Sequence, residues 1–179
     1  MRKSIDDYLI IEDDKVKQYC KKLYDYAVRK GAKIENYRYP YRFRYVYKKE
    51  QVLVFETRTP YIAIPYNNQY SDKRNSWDCF KLFMIEVEKR PDKDELIEYI
   101  QKEICVCGAC SKRKAGPKKD EDRCGHWLDI YGMKRFAAAC HPEISKAHLP
   151  KEKREYTDYD IQMLKRLMDV RFAQIDNYQ

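Results

Sequence analysis

Aromatic residues occupy every odd position of the stretch from Tyr37 to Tyr47, YRYPYRFRYVY, and two lysines follow it directly. Successive side chains of a β-strand point to opposite faces, so this alternation predicts a strand with one aromatic face and one largely basic face. Proline has no backbone N–H to donate to a strand ladder. We therefore expect Pro40 to split the run and to leave residues 41–48 as the regular strand.

The same stretch could instead bind single-stranded nucleic acid, which stacks its bases on aromatic side chains while cations hold its phosphates. That surface needs both chemistries on one face, whereas the alternation separates them. We therefore expect the aromatic side chains to face the core and the cations to face solvent. An outward basic stripe could still contact phosphates without sequence preference. The candidate nucleic-acid-binding residues are Arg38, Arg42, Arg44 and Lys48.

The hydrophobic patterns along the chain predict an α+β fold, with an antiparallel sheet of four or more strands packed by three main helices. Helical spacing of apolar residues predicts helices over residues 13–30 and 157–175, and a third helix that begins near Pro91. Gly31 is expected to cap the first helix, and Thr157 or Asp158 the last. Strand patterns cover residues 41–48, 52–59, 61–66 and 79–88, and a hairpin is expected to turn near Gly132.

The start of the chain lacks the apolar core of a signal peptide, and no apolar run is long enough to span a membrane, so we expect a cytoplasmic protein. Because the cytosol keeps thiols reduced, the seven cysteines are not expected to form a disulfide framework. The formal net charge of +8 permits an acidic partner such as nucleic acid or another anionic ligand. A charge of this size can equally serve solubility alone.

Five of the seven cysteines are clustered, and the cluster predicts a metal site. They are Cys105, Cys107, Cys110, Cys124 and Cys140. The sequence from Cys107 to Cys110 has the two-residue spacing of a metal knuckle, so a second pair of ligands must come from more distant sequence. Zinc prefers four ligands in a tetrahedron, and closed sites of this kind are structural. Residues 105–150 contain few apolar side chains, so a bound zinc ion would contribute folding free energy there.

The favoured zinc ligands are Cys107, Cys110, Cys124 and Cys140. Cys105 is a spare or a substitute, and His126 and His141 are weaker candidates. Three other interpretations stay open. An iron–sulfur cluster also uses four thiolates, a redox pair could use the CGAC motif although the context differs from that of thioredoxin-type proteins, and all five cysteines could be free thiols. Cys20 and Cys79 are expected to be core residues.

Two stretches that follow the knuckle and its basic loop are DIYGMKRFAAACH and DYDIQMLKRLMDVRFAQID. Over residues 104–176 the chain resembles a group of small uncharacterised bacterial proteins, common in clostridia-like organisms, that carry a Cys-rich C-terminal segment. The resemblance implies that Cys107, Cys110 and Cys140 occupy the cysteine positions of that group. It implies no catalytic residue, because the group has no assigned activity. We divide the chain into an α+β portion, 1–104, and a Cys-rich portion with the closing helix, 105–179, packed as one domain.

The sequence contains no Ser/His/Asp grouping, Gly-rich phosphate loop or His-Glu-x-x-His motif that would indicate an enzyme. An enzyme would have to use the metal itself, through a zinc ion with three protein ligands and an open position. We therefore expect a non-enzymatic protein with one structural zinc ion that acts as a binding or regulatory module. The alternatives are a nucleic-acid-binding protein that uses the basic strand and residues 112–119, or an iron–sulfur or redox protein.

Overall fold

The computed structural model describes residues 14–37, 39–56, 61–66, 76–106, 125–138, 143–146, 149 and 154–178. The helices in these ranges are α1 (Asp14–Arg29), α2 (Ser76–Glu88), α3 (Lys93–Glu103) and α4 (Asp158–Tyr178). The strands are β1 (Lys33–Tyr37), β2 (Tyr39–Tyr47), β3 (Glu50–Glu56), β4 (Tyr61–Pro65), β5 (Gly125–Ile130), β6 (Met133–Ala138) and β7 (Glu143–Ser145). The protein is therefore of the α+β class, as predicted, but with four described helices instead of three. None of the described helices has the length and apolar character needed to cross a membrane.

Five strands form one antiparallel sheet in the order β1-β2-β3-β4-β7, and β5 pairs with β6 in a second, two-stranded sheet. Phe43 lies opposite Phe55, and Phe55 lies opposite Ile62, so these side chains share one face of the larger sheet. That inner face belongs to a hydrophobic core to which all four helices contribute. The prediction of inward aromatic side chains is confirmed for Phe43 and Tyr45, which are both buried.

The helix α4 is central to the fold, because it contacts the other three helices as well as β3 and β4. Thr157 caps it, as the sequence predicted: Thr157 Oγ1 accepts a hydrogen bond from the Asp160 N–H at 3.2 Å. The Asp160 carboxylate in return accepts one from the Thr157 N–H at 2.7 Å. This reciprocal pair is a capping box, which satisfies backbone N–H groups that the first helical turn leaves without partners.

The end of α1 also follows the prediction. Gly31 adopts a left-handed conformation with φ of +91°. Its N–H donates to the carbonyl of Val28 at 2.9 Å, and the N–H of Ala32 donates to the carbonyl of Ala27 at 3.0 Å. These two bonds form a Schellman motif, which satisfies the last carbonyls of the helix and turns the chain towards β1.

The prediction of a strand over residues 79–88 is wrong, because these residues belong to α2. Cys79, Phe83 and Val87 are buried four residues apart, which is the spacing of one helix face. A short apolar run fits both the strand period and the helix period, so the sequence pattern alone could not distinguish them.

Two strands, β1 and β7, were not predicted from the sequence. β1 pairs with β2 so that Tyr37 lies opposite Tyr39, and Pro40 lies within β2. The chain therefore reverses between β1 and β2. The prediction that Pro40 splits the run is confirmed in part: Pro40 lies within β2, but the register with β1 shifts between Phe43 and Tyr39, and the register with β3 begins only at Arg42. β7 pairs with β4, placing Ile144 opposite Ile64. Because β4 is distant from β7 in sequence, no local sequence pattern predicts this strand.

Candidate metal centre

Residues 104–106, which follow α3 directly, join the two sheets. Ile104 forms an antiparallel bridge with Ile144 of β7, and the Cys105 N–H donates to the Glu143 carbonyl at 3.0 Å. Two residues after Ile104, Val106 forms an antiparallel bridge with Ala137 of β6. This short segment therefore pairs with the large sheet on one side and with the small sheet on the other.

The β5–β6 hairpin packs one of its faces onto the core. Leu128, Ile130 and Ala137 are buried and belong to the main hydrophobic cluster. The side-chain amide of Gln101 on α3 donates to the Ile130 carbonyl at 2.6 Å, and Arg135 Nε donates to the Gln101 carbonyl at 3.3 Å. These contacts fix the hairpin against the last turn of α3.

The predicted turn near Gly132 is confirmed. Tyr131 and Gly132 connect β5 to β6, and both have positive φ, +51° and +83°. Two central residues with positive φ are typical of a type I′ turn, whose twist matches that of the paired strands. The Asp129 carboxylate supports the turn by accepting a hydrogen bond from the Gly132 N–H at 2.8 Å.

The four favoured zinc ligands, Cys107, Cys110, Cys124 and Cys140, lie outside the described residues, as do the side chains of His126 and His141. Two of their described neighbours in the chain pair with adjacent residues of β6: Val106 pairs with Ala137, and Gly125 of β5 pairs with Ala138. Cys107 follows Val106 directly, Cys124 precedes Gly125 directly, and Cys140 comes two residues after Ala138. Within the described part of the chain, no three His, Cys, Asp or Glu side chains are grouped closely enough to hold a metal ion.

The three described cysteines, Cys20, Cys79 and Cys105, are all buried, and none of them forms a disulfide bond. Cys20 and Cys79 are packed in the core, as predicted, and burial raises the pKa of Cys20 to about 12. Cys105 is buried in the segment that joins the sheets. Burial is the main cause of the raised pKa of Tyr66, and the nearby groups of Cys105, Glu143 and Cys79 raise it further. In the sequence, Cys105 is two residues from Cys107, the first of the favoured zinc ligands.

The described candidate nucleic-acid-binding residues, which lie on β2 and directly after it, are beside carboxylates. Arg44 donates to Glu35 through two nitrogens, at 3.2 and 2.9 Å, and Arg42 lies 3.8 Å from the Glu56 carboxylate. Lys48 contacts Asp176 at 2.7 Å, and this hydrogen bond raises the pKa of Lys48. Arg38 lies outside the described residues.

The two arginines of this stripe are on the face opposite the aromatic side chains, as predicted, but they are largely shielded from solvent. The side chains of Arg42 and Arg44 are 15% and 18% exposed. Cations that are shielded and lie beside carboxylates attract phosphates less strongly than exposed cations would.

Sequence analysis missed two buried ionic groupings. In the first, Lys146 Nζ donates to the Asp160 carboxylate at 3.0 Å, and the Tyr99 hydroxyl donates to the same carboxylate at 3.1 Å. Burial acts to raise the pKa of Asp160, but the hydrogen bonds from Lys146 and Thr157 outweigh it, so the pKa lies below its usual value. The spacing of Thr157 and Asp160, three residues apart, is the signal that could have identified this grouping.

The second grouping surrounds Arg171, which is fully buried on α4. Its Nε donates to the Gln51 carbonyl at 2.9 Å, one Nη donates to the Gln174 side chain at 2.6 Å, and the Glu50 carboxylate lies 3.9 Å away. Burial lowers the pKa of Arg171 to about 10, and the charge of Glu50 opposes this shift. The signal in the sequence was the position of Arg171 on the apolar stripe of its helix.

The five-stranded sheet with its helices, the β5–β6 hairpin and the joining residues 104–106 together define an α+β protein with a small hairpin attached to a helix-backed sheet. Comparison of the chain with protein-family models, with curated proteins and with solved structures finds no match in any of the three.

Proposed function

We propose that the protein is a cytosolic, non-enzymatic binding or regulatory module whose C-terminal portion is stabilised by one structural zinc ion. The proposed ligands are the thiolates of Cys107, Cys110, Cys124 and Cys140, with Cys105 as the substitute. Four thiolates would give the closed tetrahedral site that is typical of structural zinc, with Zn–S bonds of about 2.3 Å.

The convergence of the chain on β6 carries this proposal. Val106 and Gly125 pair with the neighbouring residues Ala137 and Ala138. Since consecutive Cα atoms are only about 3.8 Å apart, the covalent chain keeps Cys107 and Cys124 close to these pairs in any conformation. Val106, Gly125 and Ala138, which precede or follow the segments that carry these cysteines, thus lie at the open end of the hairpin, and this proximity supports a shared metal ion.

The energetics of the hairpin also favour a metal. An isolated two-stranded hairpin is marginally stable in water. Leu128, Ile130 and Ala137 are the described hairpin residues that are buried in the core. Because ligand binding to a metal contributes directly to folding, a zinc ion at the open end of the hairpin would supply stability where apolar burial is small.

Metal analysis of untagged protein by inductively coupled plasma mass spectrometry tests the proposal. We expect about one zinc per chain, and we expect each of the variants Cys107→Ser, Cys110→Ser, Cys124→Ser and Cys140→Ser to lose it. Cys20→Ala is the matched control, because it removes a buried thiol on α1 and should leave the zinc content unchanged.

Each other outcome would change the assignment. Zinc retained in a single Cys→Ser variant would exclude that residue and would implicate Cys105 or a histidine. Iron with inorganic sulfide would replace the zinc site with an iron–sulfur cluster. Protein without metal, and without a change in thermal stability on chelation, would refute the site.

A further inference from the structure

The larger sheet has a second face, opposite the core, which we call the outer face. Successive side chains of a strand point to opposite sides, so the residues that alternate with Phe43, Phe55 and Ile62 lie on it. One row of paired residues crosses all five strands on this side: Glu35, Arg44, Val54, Ala63 and Ser145.

The centre of the outer face is buried. Val54 is 3% exposed, Ala63 is 0% exposed and Ser145 is 3% exposed. Val54 and Ala63 form a cluster separate from the main core, and no other buried apolar side chain of the described residues belongs to it. All four helices and the β5–β6 hairpin contribute instead to the main core on the inner face. The described apolar side chains therefore do not account for the burial of Val54 and Ala63.

The helix α1 begins at the end of the sheet where β2 also begins. The rings of Tyr24 and Tyr45 are 5.9 Å apart between centroids. Gly31, which ends α1, lies beside Tyr47 near the end of β2, where a Cβ atom on the glycine would be 3.6 Å from the ring. Helix and strand therefore run in opposite directions, and the segment that precedes Asp14 joins α1 at the end of the sheet nearest the start of β2.

The composition of residues 6–13, DDYLIIED, suits the outer face. The run from Tyr8 to Ile11 is the only stretch of four consecutive apolar residues in the sequence outside the described ranges. The segment contains four acids and no cation, whereas β2 contains Arg42 and Arg44 and no acid. Residues 107–124 contain six cations and three acids, so their net charge has the same sign as that of β2.

We propose that residues 6–13 fold back around the end of the sheet and cover its outer face. The apolar run contacts Val54 and Ala63, and burial of these side chains stabilises the contact. Eight residues in an extended conformation span up to about 26 Å, which is enough to pass from α1 around the end of the sheet and across neighbouring strands that are about 4.8 Å apart.

The same contact places the acids of the segment near the cations of β2. It thereby accounts for the low exposure of the Arg42 and Arg44 side chains, 15% and 18%, on a face that the described helices do not cover. Residues 6–13 act as an intramolecular strap that competes with an anionic partner for this face. The inference goes beyond the zinc proposal and does not depend on it.

NMR spectroscopy of the 179-residue protein with its native metal content, labelled with ¹³C in the Ala, Ile, Leu and Val methyl groups, tests the proposal. We expect nuclear Overhauser effects between the methyl groups of Val54 and Ala63 and those of residues 9–11. Contacts to Ala109 or Ala115 instead would assign the cover to residues 107–124 and would overturn the proposal. Contacts seen only between different chains, in a mixture of labelled and unlabelled protein, would assign it to a second copy and would also overturn it.

The double variant Leu9→Ser/Ile10→Ser tests the contact through stability. Adjacent side chains of an extended segment point to opposite sides, so this variant removes an apolar contact whichever of the two faces the sheet. We expect a lower urea midpoint than in the wild type. Ile5→Ser is the matched control, because Ile5 lies outside residues 6–13 and its loss should leave the midpoint unchanged.

Methyl resonances of the same variants locate the effect on one face of the sheet. The double variant should shift the resonances of Val54 and Ala63 and leave those of Ile62 and Ile64, on the inner face, unchanged. Equal midpoints for the double variant and Ile5→Ser would overturn the proposal. So would a folded double variant in which the Val54 and Ala63 resonances do not move.

Discussion

The helix-backed sheet and the β5–β6 hairpin are stabilised by different means. The sheet packs Phe43, Tyr45 and Phe55 against four helices, and the buried Arg171 connects α4 to the start of β3. Among its described side chains, the hairpin contributes three buried apolar residues, and it is connected to the rest through Gln101, Arg135 and residues 104–106. The larger region is therefore stabilised by extensive apolar burial and by the Arg171 contacts, whereas the smaller one depends on a few links and, in our proposal, on a metal ion.

The largest expected effect is that of Arg171→Ala in the larger region. Removing the guanidinium takes the Arg171 charge away from the buried Glu50 carboxylate and removes the hydrogen bonds from Arg171 to the Gln51 carbonyl and to Gln174. We expect the free energy of unfolding to fall by about 3–5 kcal/mol. Urea denaturation measures this, with Arg29→Ala at an exposed helix end as a control that should change stability by less than about 0.5 kcal/mol. A small effect of Arg171→Ala would contradict the proposal that these buried contacts stabilise the larger region.

Two matched leucine variants compare the regions directly. Leu53 on β3 and Leu128 on β5 are both almost completely buried. We expect Leu53→Ala to lower the global free energy of unfolding by about 2–5 kcal/mol. Leu128→Ala should lower the global free energy of unfolding by less, because we expect the hairpin to open without the rest of the protein. It should, however, increase amide hydrogen exchange in β5 and β6. Equal global losses would show that the two regions unfold as one unit.

Asp160→Asn gives an intermediate effect with a defined pH dependence. The substitution weakens the capping box and the contact with Lys146, so we expect the free energy of unfolding to fall by about 1–3 kcal/mol at neutral pH. The pKa of Asp160 is lowered in the folded protein, so its contribution is complete above the ordinary aspartate pKa of about 3.9 and is lost as the pH falls through the folded value. Thermal melts at several pH values should show the two proteins converging below pH about 4; a constant difference would contradict this assignment.

The smallest expected effect concerns the partly exposed ion pair between Arg44 and Glu35. A double-mutant cycle with Arg44→Ala and Glu35→Ala should give a coupling free energy of at most about 1 kcal/mol. The same variants test the β2 stripe: if Glu35 neutralises Arg44, then Glu35→Gln should not weaken oligonucleotide binding and Arg44→Ala should change it little. A large loss of binding in Arg44→Ala would support a nucleic-acid contact on β2.

Elements with strong local signals were predicted from the sequence. Gly31 ends α1, Thr157 caps α4, and the hairpin turns beside Gly132, because each depends on the chemistry of one or two residues. The residues of α2 were assigned to a strand because a short apolar run fits both periods. β7 was missed because its pairing depends on β4, which is distant in sequence.

The candidate sites were only partly accessible to sequence analysis. The cysteine spacing predicted a metal ligand set, but it could not indicate that Val106 and Gly125 pair with adjacent residues of β6. The aromatic alternation identified the inner face of β2, but not that Glu35 and Glu56 lie beside its arginines. The exposure of Trp127 and Tyr131 could not be predicted from the sequence, because it depends on which face of the hairpin packs onto the core.

Hydrogen exchange measured by mass spectrometry, before and after strong chelation, tests the central claim that a metal ion stabilises the hairpin junction. We predict that chelation increases exchange at residues 104–106, β5 and β6 and leaves β2 and β3 protected. Unchanged exchange at the junction, with metal analysis showing none bound before chelation, would contradict the claim. Loss of protection throughout the sheet would contradict the proposed independence of the two regions.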